Sequence, residues 1–115
     1  MEEEDHNLLS GYRALWLFAL FDLPVKTKKD RRNYTRFRKA LIREGFLMLQ
    51  FSVYARYCRS EDTADWFRLR VQGELPPKGQ VRLLSVTDRQ FGKMAVYFGQ
   101  ETEPVEEPPH QYELF

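Results

Sequence analysis

Ala14-Leu15-Trp16-Leu17-Phe18-Ala19-Leu20-Phe21 runs straight into Asp22-Leu23-Pro24. The first eight residues are apolar on both alternating sides, the pattern of a central strand covered on both faces or paired into an interface. Leu23-Pro24 ends it, since the residue before a proline is pushed away from the helical region. Asp22 is therefore expected as a carboxylate at the end of a rigid, buried strand. The next segment is densely basic: of 18 Lys and Arg, nine fall between Lys26 and Arg43, with Asp30 the only acid among them.

That basic stretch reads as a helix from near Thr27 or Lys28 to Glu44, with Thr27 as cap and Gly45 as stop. At about 100° per residue, Tyr34, Phe37 and Leu41 share one face. Lys28, Arg32, Arg36, Lys39 and Arg43 share the opposite one. Like charges at i,i+4 cost a few tenths of a kcal/mol per pair in an isolated helix. The stripe thus opposes helix stability, and a phosphate backbone laid along it would offset that cost. A purely solvated basic face is the plainer alternative.

Beyond the helix, residues 46–57 are aromatic and β-branched and fit two short strands turning near residues 50–52. Ser60 reads as an N-cap, with Glu61, Asp62 and Asp65 in the first helical turn. Ala64, Phe67 and Val71 give that second helix its apolar face, continuing to Leu75, where Pro76-Pro77-Lys78-Gly79 turns the chain. Residues 81–86 alternate as a strand, residues 88–92 read as a loop, and residues 94–98 as a short final strand. The order β-α-β-β-α-β with an extra C-terminal strand predicts an α+β, ferredoxin-like antiparallel sheet with two helices on one face. The expected organisation is an acidic flexible leader over residues 1–11, the ferredoxin-like domain over 12–99, and an acidic Pro-rich tail over 100–115.

At 115 residues the chain is one domain by length. No apolar run reaches the roughly 18 residues of a membrane span, and Glu2, Glu3, Glu4 and Asp5 are the wrong start for a secretory signal. Cys58 is the only cysteine, which excludes an intrachain disulfide and a Cys-based metal site and fits a small buried hydrophobe in a cytoplasmic protein. The net charge of +1 conceals a segregation. Residues 1–10 carry four acids and no base; residues 101–115 carry five acids (Glu101, Glu103, Glu106, Glu107, Glu113) and no base. All 18 bases and only eight acids lie in between. A body that basic implies a polyanionic partner. The acidic ends either screen it when empty or simply solubilise the chain, and the tail is expected to be disordered or extended when free.

Asp22 is the prime candidate for chemistry. Mg²⁺ is held by one or two carboxylates plus water and substrate phosphate, and a metal so held activates water and stabilises phosphate charge. One carboxylate is a poor site alone; a two-fold dimer whose first strands meet at the axis would bring a second Asp22 close. The alternative is that Asp22 only shapes the turn. His6 and His110 lack metal-ligand spacing, and no Gly-rich phosphate loop or catalytic triad order is present. Ser52 suits a turn hydrogen bond better than a phosphate contact. Tyr54 and Tyr57 suit sheet packing better than base stacking. Trp66 falls off the apolar stripe of its helix, as residues at protein interfaces do.

Together these segments resemble the small CRISPR-associated Cas-two family, in the branch accompanying single-effector systems. The resemblance rests on Trp16-Leu-Phe-Ala-Leu-Phe-Asp22-Leu-Pro24, the basic helix, Gly45-Phe-Leu-Met-Leu-Gln-Phe-Ser-Val-Tyr54, Val81-Arg-Leu-Leu-Ser-Val-Thr-Asp88 and Thr87-Asp-Arg-Gln-Phe-Gly92, and spans roughly residues 12–98. It implies a ferredoxin-like homodimer whose final strand adds to the partner's sheet. It also implies Cas-one integrase dimers as partners, with short duplex DNA captured for insertion into a CRISPR array. Some members of the family cleave RNA or DNA with a divalent metal, and the family's catalytic aspartate matches Asp22. Mg²⁺ or Mn²⁺ at the dimer axis is the cofactor this implies.

Three functions emerge as expectations. The first is a DNA-binding scaffold for spacer acquisition, with Lys28, Arg32, Arg36, Lys39 and Arg43 on phosphates and Arg13 and Arg82 adding to that surface. The second is a metal-dependent endonuclease, an endoribonuclease or DNase, centred on Asp22. The third is a single-stranded RNA binder using sheet aromatics. A regulatory small-molecule domain would leave the basic stripe unexplained.

Overall fold

A computed structural model describes residues 13–100. The acidic leader, the tail beyond Gln100, His6 and His110 lie outside the described residues. The element order is β1 (Leu15–Asp22), α1 (Lys28–Arg43), β2 (Leu47–Gln50), β3 (Val53–Cys58), α2 (Glu61–Gln72), β4 (Gln80–Thr87) and α3 (Asp88–Gly92). The four strands form one sheet in the order β2-β3-β1-β4, antiparallel throughout. This is the ferredoxin-like arrangement expected from the sequence.

Local chemistry sets the boundaries. Thr27 caps α1: its hydroxyl accepts from the Asp30 amide at 2.9 Å while the Asp30 carboxylate accepts from the Thr27 amide at 3.2 Å. This reciprocal capping box satisfies two donors that a helix start otherwise leaves open. Ser60 caps α2 by accepting from the Thr63 amide at 3.1 Å. α2 stops at Gln72 rather than reaching Leu75, because Gly73 takes the C-cap position ahead of the prolines.

β1 sorts its side chains by alternation. Leu15, Leu17, Ala19 and Phe21 enter the core beneath the helices, with Tyr34, Phe37 and Leu41 of α1 and Ala64, Phe67 and Val71 of α2. Phe21 meets Phe37 edge-on at 5.1 Å. Tyr54 and Cys58 of β3 complete this layer.

Trp16, Phe18, Leu20 and Asp22 point to the other face. Residues 88–92, expected as a loop, are instead the short helix α3, lying on that face. Thr87 and Gln90 form its capping box, with bonds of 2.8 and 3.0 Å. Trp16 stacks on Phe91 at 4.1 Å and 11°, and its Nε1 donates to Asp88 at 2.9 Å. A helix of five residues has no stability of its own; the indole holds it. Residues 94–98, expected as a final strand, carry no strand in this chain. β1 already pairs on both edges, and the segment pairs with neither β2 nor β4, leaving Tyr97 and Phe98 86% and 89% exposed.

α3 covers only part of its face. Leu47, Tyr57 and Leu84 remain exposed there, with Leu84 directly opposite Phe18. No helix is long and apolar enough to cross a membrane among the described residues.

Candidate nucleic-acid interface

The core packing of α1 dictates where its charges go. With Tyr34, Phe37, Ala40 and Leu41 buried, Lys28, Arg32, Arg36, Lys39 and Arg43 are all exposed on the outer side. They line an open groove of about 530 Å³ together with Arg31 and Thr35. Sequence reasoning missed Arg31, because its position suggested only more charge. Its guanidinium donates to the carbonyls of Val25 at 3.1 Å and Lys26 at 3.0 Å, tying the β1–α1 loop to the helix.

The cations are not equally free. Arg43 pairs with Glu74 at 3.2 Å. No acid among the described residues pairs with Lys28, Arg32, Arg36 or Lys39. Three arginines elsewhere are spent on structure. Arg70 donates to Glu44 at 2.7 and 3.1 Å, joining α2 to the end of α1. Those hydrogen bonds hold the Glu44 carboxyl below its ordinary pKa. Arg56 donates to the Glu44 carbonyl at 2.8 Å and lies 3.8 Å over the Phe67 ring. Arg68 reaches the Ser85 hydroxyl and Asp65. Arg59, Lys78, Arg89 and Lys93 are exposed without a described acid partner as well, but the densest run of such cations among the described residues is on α1.

Arg82 does not join that surface. It stands opposite Leu20, while Asp22 stands opposite Gln80, so Arg82 shares the face of the sheet turned away from the helices. There it bonds Gln80 at 3.4 Å. Arg13 is exposed ahead of β1, at the end of the strand away from Asp22.

Asp22 is exposed at the end of β1, as expected. Gly79 holds the neighbouring chain against it: at φ +97°, a Cβ there would meet the Asp22 carbonyl oxygen and Leu23 Cδ2 at 2.7 Å. Gly79→Ala is expected to destabilise the fold by about 1–3 kcal/mol, read as a lower urea midpoint with an unchanged slope. An unchanged midpoint would show that the β1 end accommodates a side chain.

Ser52 occupies the same sheet end at φ +64°. Its carbonyl accepts from the Phe21 amide at 3.1 Å, and its hydroxyl bonds the Tyr34 hydroxyl at 3.2 Å. That commits its side chain to the helix side, while Asp22 points away. The two do not converge. No group of three or more His, Cys, Asp or Glu side chains suited to a metal occurs among the described residues. One exposed carboxylate falls short of the oxygen set a divalent cation needs, so a single chain does not fit such an ion. Tyr54 is fully enclosed and burial pushes its hydroxyl pKa up. It packs the sheet and offers no ring to a base. Burial likewise pushes the Cys58 thiol up, consistent with a core hydrophobe. Trp66 is exposed, edge-on to Phe67 and 5.0 Å beneath the Arg70 guanidinium.

The sequence model of the family described as CRISPR associated protein Cas2 matches residues 15–94, the span from β1 to just past α3. The chain belongs to the Cas2 family. Several relatives bear the name CRISPR-associated endoribonuclease Cas2. That of Flavobacterium psychrophilum is 39% identical over the full length of both chains. That of Parvibaculum lavamentivorans is 45% identical over 88% of this chain and all of its own. That of Lacticaseibacillus rhamnosus is 48% identical over 77% of this chain and 88% of its own. The Cas2 match takes in both features described above, Asp22 and the whole of α1, and leaves out the two acidic ends.

Proposed function

We propose that two copies of this Cas2 chain pair through the sheet face that α3 leaves uncovered, and that the pair grips a nucleic-acid duplex by its backbone along the two α1 stripes. The observation that carries this reading is the set of four cations that no described acid neutralises, Lys28, Arg32, Arg36 and Lys39, on one side of one helix. Contacts of this kind fix position on a duplex without reading its bases. The role is that of an adaptation scaffold, bridging Cas-one integrase dimers and holding short duplex DNA for spacer acquisition. Pairing through the sheet suits it, because α1 lies on the opposite side of the sheet and stays outside.

The pairing has its own test. Trp16, Leu20, Leu47 and Leu84 offer the apolar area, and Leu84 is 52% exposed at its centre line. Leu84→Glu would bury a charge with no partner at the interface. The unsubstituted protein is expected to sediment at twice the 13.8 kDa chain mass and the variant at the chain mass. A variant that stays paired would mean the copies meet elsewhere.

A second reading, RNA cleavage at Asp22, is favoured by the endoribonuclease name of the relatives. Asp22 lies on the face that pairing would bring to the axis. There the partner's Asp22 would supply the second carboxylate that one chain lacks, a set suited to Mg²⁺ or Mn²⁺. Such an ion would supply charge stabilisation at phosphate. Arg82, on the same face, adds a cation beside the aspartate rather than on the duplex track.

A further inference from the structure

The face of the sheet turned away from the helices sorts its side chains along the strands. Of the residues that β1 and β4 send there, Trp16, Phe18, Leu20, Leu84 and Val86 are apolar. The polar ones are Asp22, Gln80 and Arg82, and all three lie at the same end, exposed. We infer that Arg82 is the residue that contacts an RNA backbone phosphate at the Asp22 site, held in place for that contact by Gln80.

The register supplies the geometry. Gln80 stands directly opposite Asp22, and Arg82 opposite Leu20. Arg82 and Asp22 are therefore diagonal neighbours, about 7–8 Å apart at ordinary strand spacing and within reach of a long side chain. A guanidinium and a carboxylate so placed would ordinarily close into a bidentate pair. These two stay apart: no ion pair joins them, and the guanidinium donates to the Gln80 side-chain oxygen at 3.4 Å instead. Neither charge neutralises the other, and the bond to Gln80 leaves most of the arginine fork open. That fork matches the oxygens of a phosphate, and a phosphodiester held on it lies beside Asp22. In the paired molecule this face is turned inward, where a charge-assisted bond counts for more. A charge on an edge strand also discourages stray strand pairing, but that use needs neither Gln80 nor the nearness of Asp22. The part played in cleavage rests on the reading of Asp22 as the cleaving residue; the phosphate contact does not.

Nuclear magnetic resonance on the full chain reads the contact directly. The Arg82 Nε–H signal, identified by its loss in Arg82→Lys, is followed while a short single-stranded RNA is added to the Asp22→Ala variant. The signal is expected to shift until the site is full, and to need about tenfold more RNA when Gln80→Ala is added. RNA held on α1, across the sheet, leaves it in place. A signal that does not move overturns the contact, and an unchanged titration in Gln80→Ala overturns the positioning.

With Asp22 intact, Arg82→Gln is expected to slow RNA cleavage about 10²-fold, the usual cost of one lost charge-stabilising donor, with Arg82→Lys in between. Duplex affinity and its salt slope should stay as they are, because Arg82 lies off the α1 track. Full cleavage by Arg82→Gln, or an equal loss of duplex binding, overturns the role at the Asp22 site. Pairs that separate on sedimentation of Arg82→Gln would show the guanidinium holding the partner chain instead, and overturn it too. If Asp22→Ala still cleaves, or the unsubstituted chain never does, it is the cleavage reading that fails, and the Arg82 signal judges the phosphate contact alone.

Discussion

Arg32→Gln combined with Arg36→Gln is expected to cut duplex affinity on the order of 10³-fold near 0.1 M salt, by an equal factor for every sequence tested. The magnitude comes from counterion release. Each neutralised phosphate contributes about 0.9 to the slope of log affinity against log salt. Two contacts per chain, four per pair, make that slope shallower by about 3.6. Both side chains are exposed and make no ion pair with a described acid, so the fold has nothing to lose. Helix stability should rise slightly as the Lys28–Arg32–Arg36 repulsion is relieved. The control is Arg43, whose charge is already met by Glu74 at 3.2 Å; its removal should change the slope less. A filter-binding titration over a range of salt reads all of this. An unaltered slope would mean that α1 is merely a solvated face.

Asp22→Ala is expected to reduce any Mg²⁺- or Mn²⁺-dependent RNA cleavage to the level of a no-protein control, with the pair intact and duplex affinity unchanged. Geometry separates the two roles. Asp22 projects from the end of β1 on the face away from α1, so it can be lost without touching the duplex track. It is exposed, and no hydrogen bond or ion pair ties its carboxylate to a described residue, so the fold does not depend on it. Gel assays with labelled RNA, alongside sedimentation of the variant, give the readout. Cleavage that survives would remove Asp22 from the chemistry and leave the scaffold role standing.

Much of this arrangement was legible in the sequence. The apolar run into Asp22-Leu23-Pro24 marked β1, and Thr27 and Gly45 bracketed α1 because caps are chemical signals in the chain itself. The outward stripe came from the helical period once Tyr34, Phe37 and Leu41 were placed inside. Other features needed the register. Alternation put Arg82 with Leu84 and Val86, but only the pairing of Leu20 with Arg82 showed that this side faces away from α1. The helix α3 carried a capping signal in Thr87 and Gln90, yet its existence depends on Trp16, 72 positions from its bonding partner Asp88. Local pattern cannot show such a contact. Residues 94–98 have the β-forming composition that suggested a strand, but a strand exists only beside a partner, and here they pair with neither edge strand, β2 or β4.

The bearing of α1 and Asp22 on acquisition meets in one measurement. The protein, its Asp22→Ala variant and its Arg32→Gln/Arg36→Gln variant are each combined with the candidate Cas-one integrase and a short duplex, and insertion into a CRISPR array is counted. Insertion is expected with the unsubstituted chain and with Asp22→Ala, and is expected to fail with the arginine variant. Full insertion by the arginine variant, with loss on removing Asp22, would contradict the scaffold reading and make the carboxylate the working part.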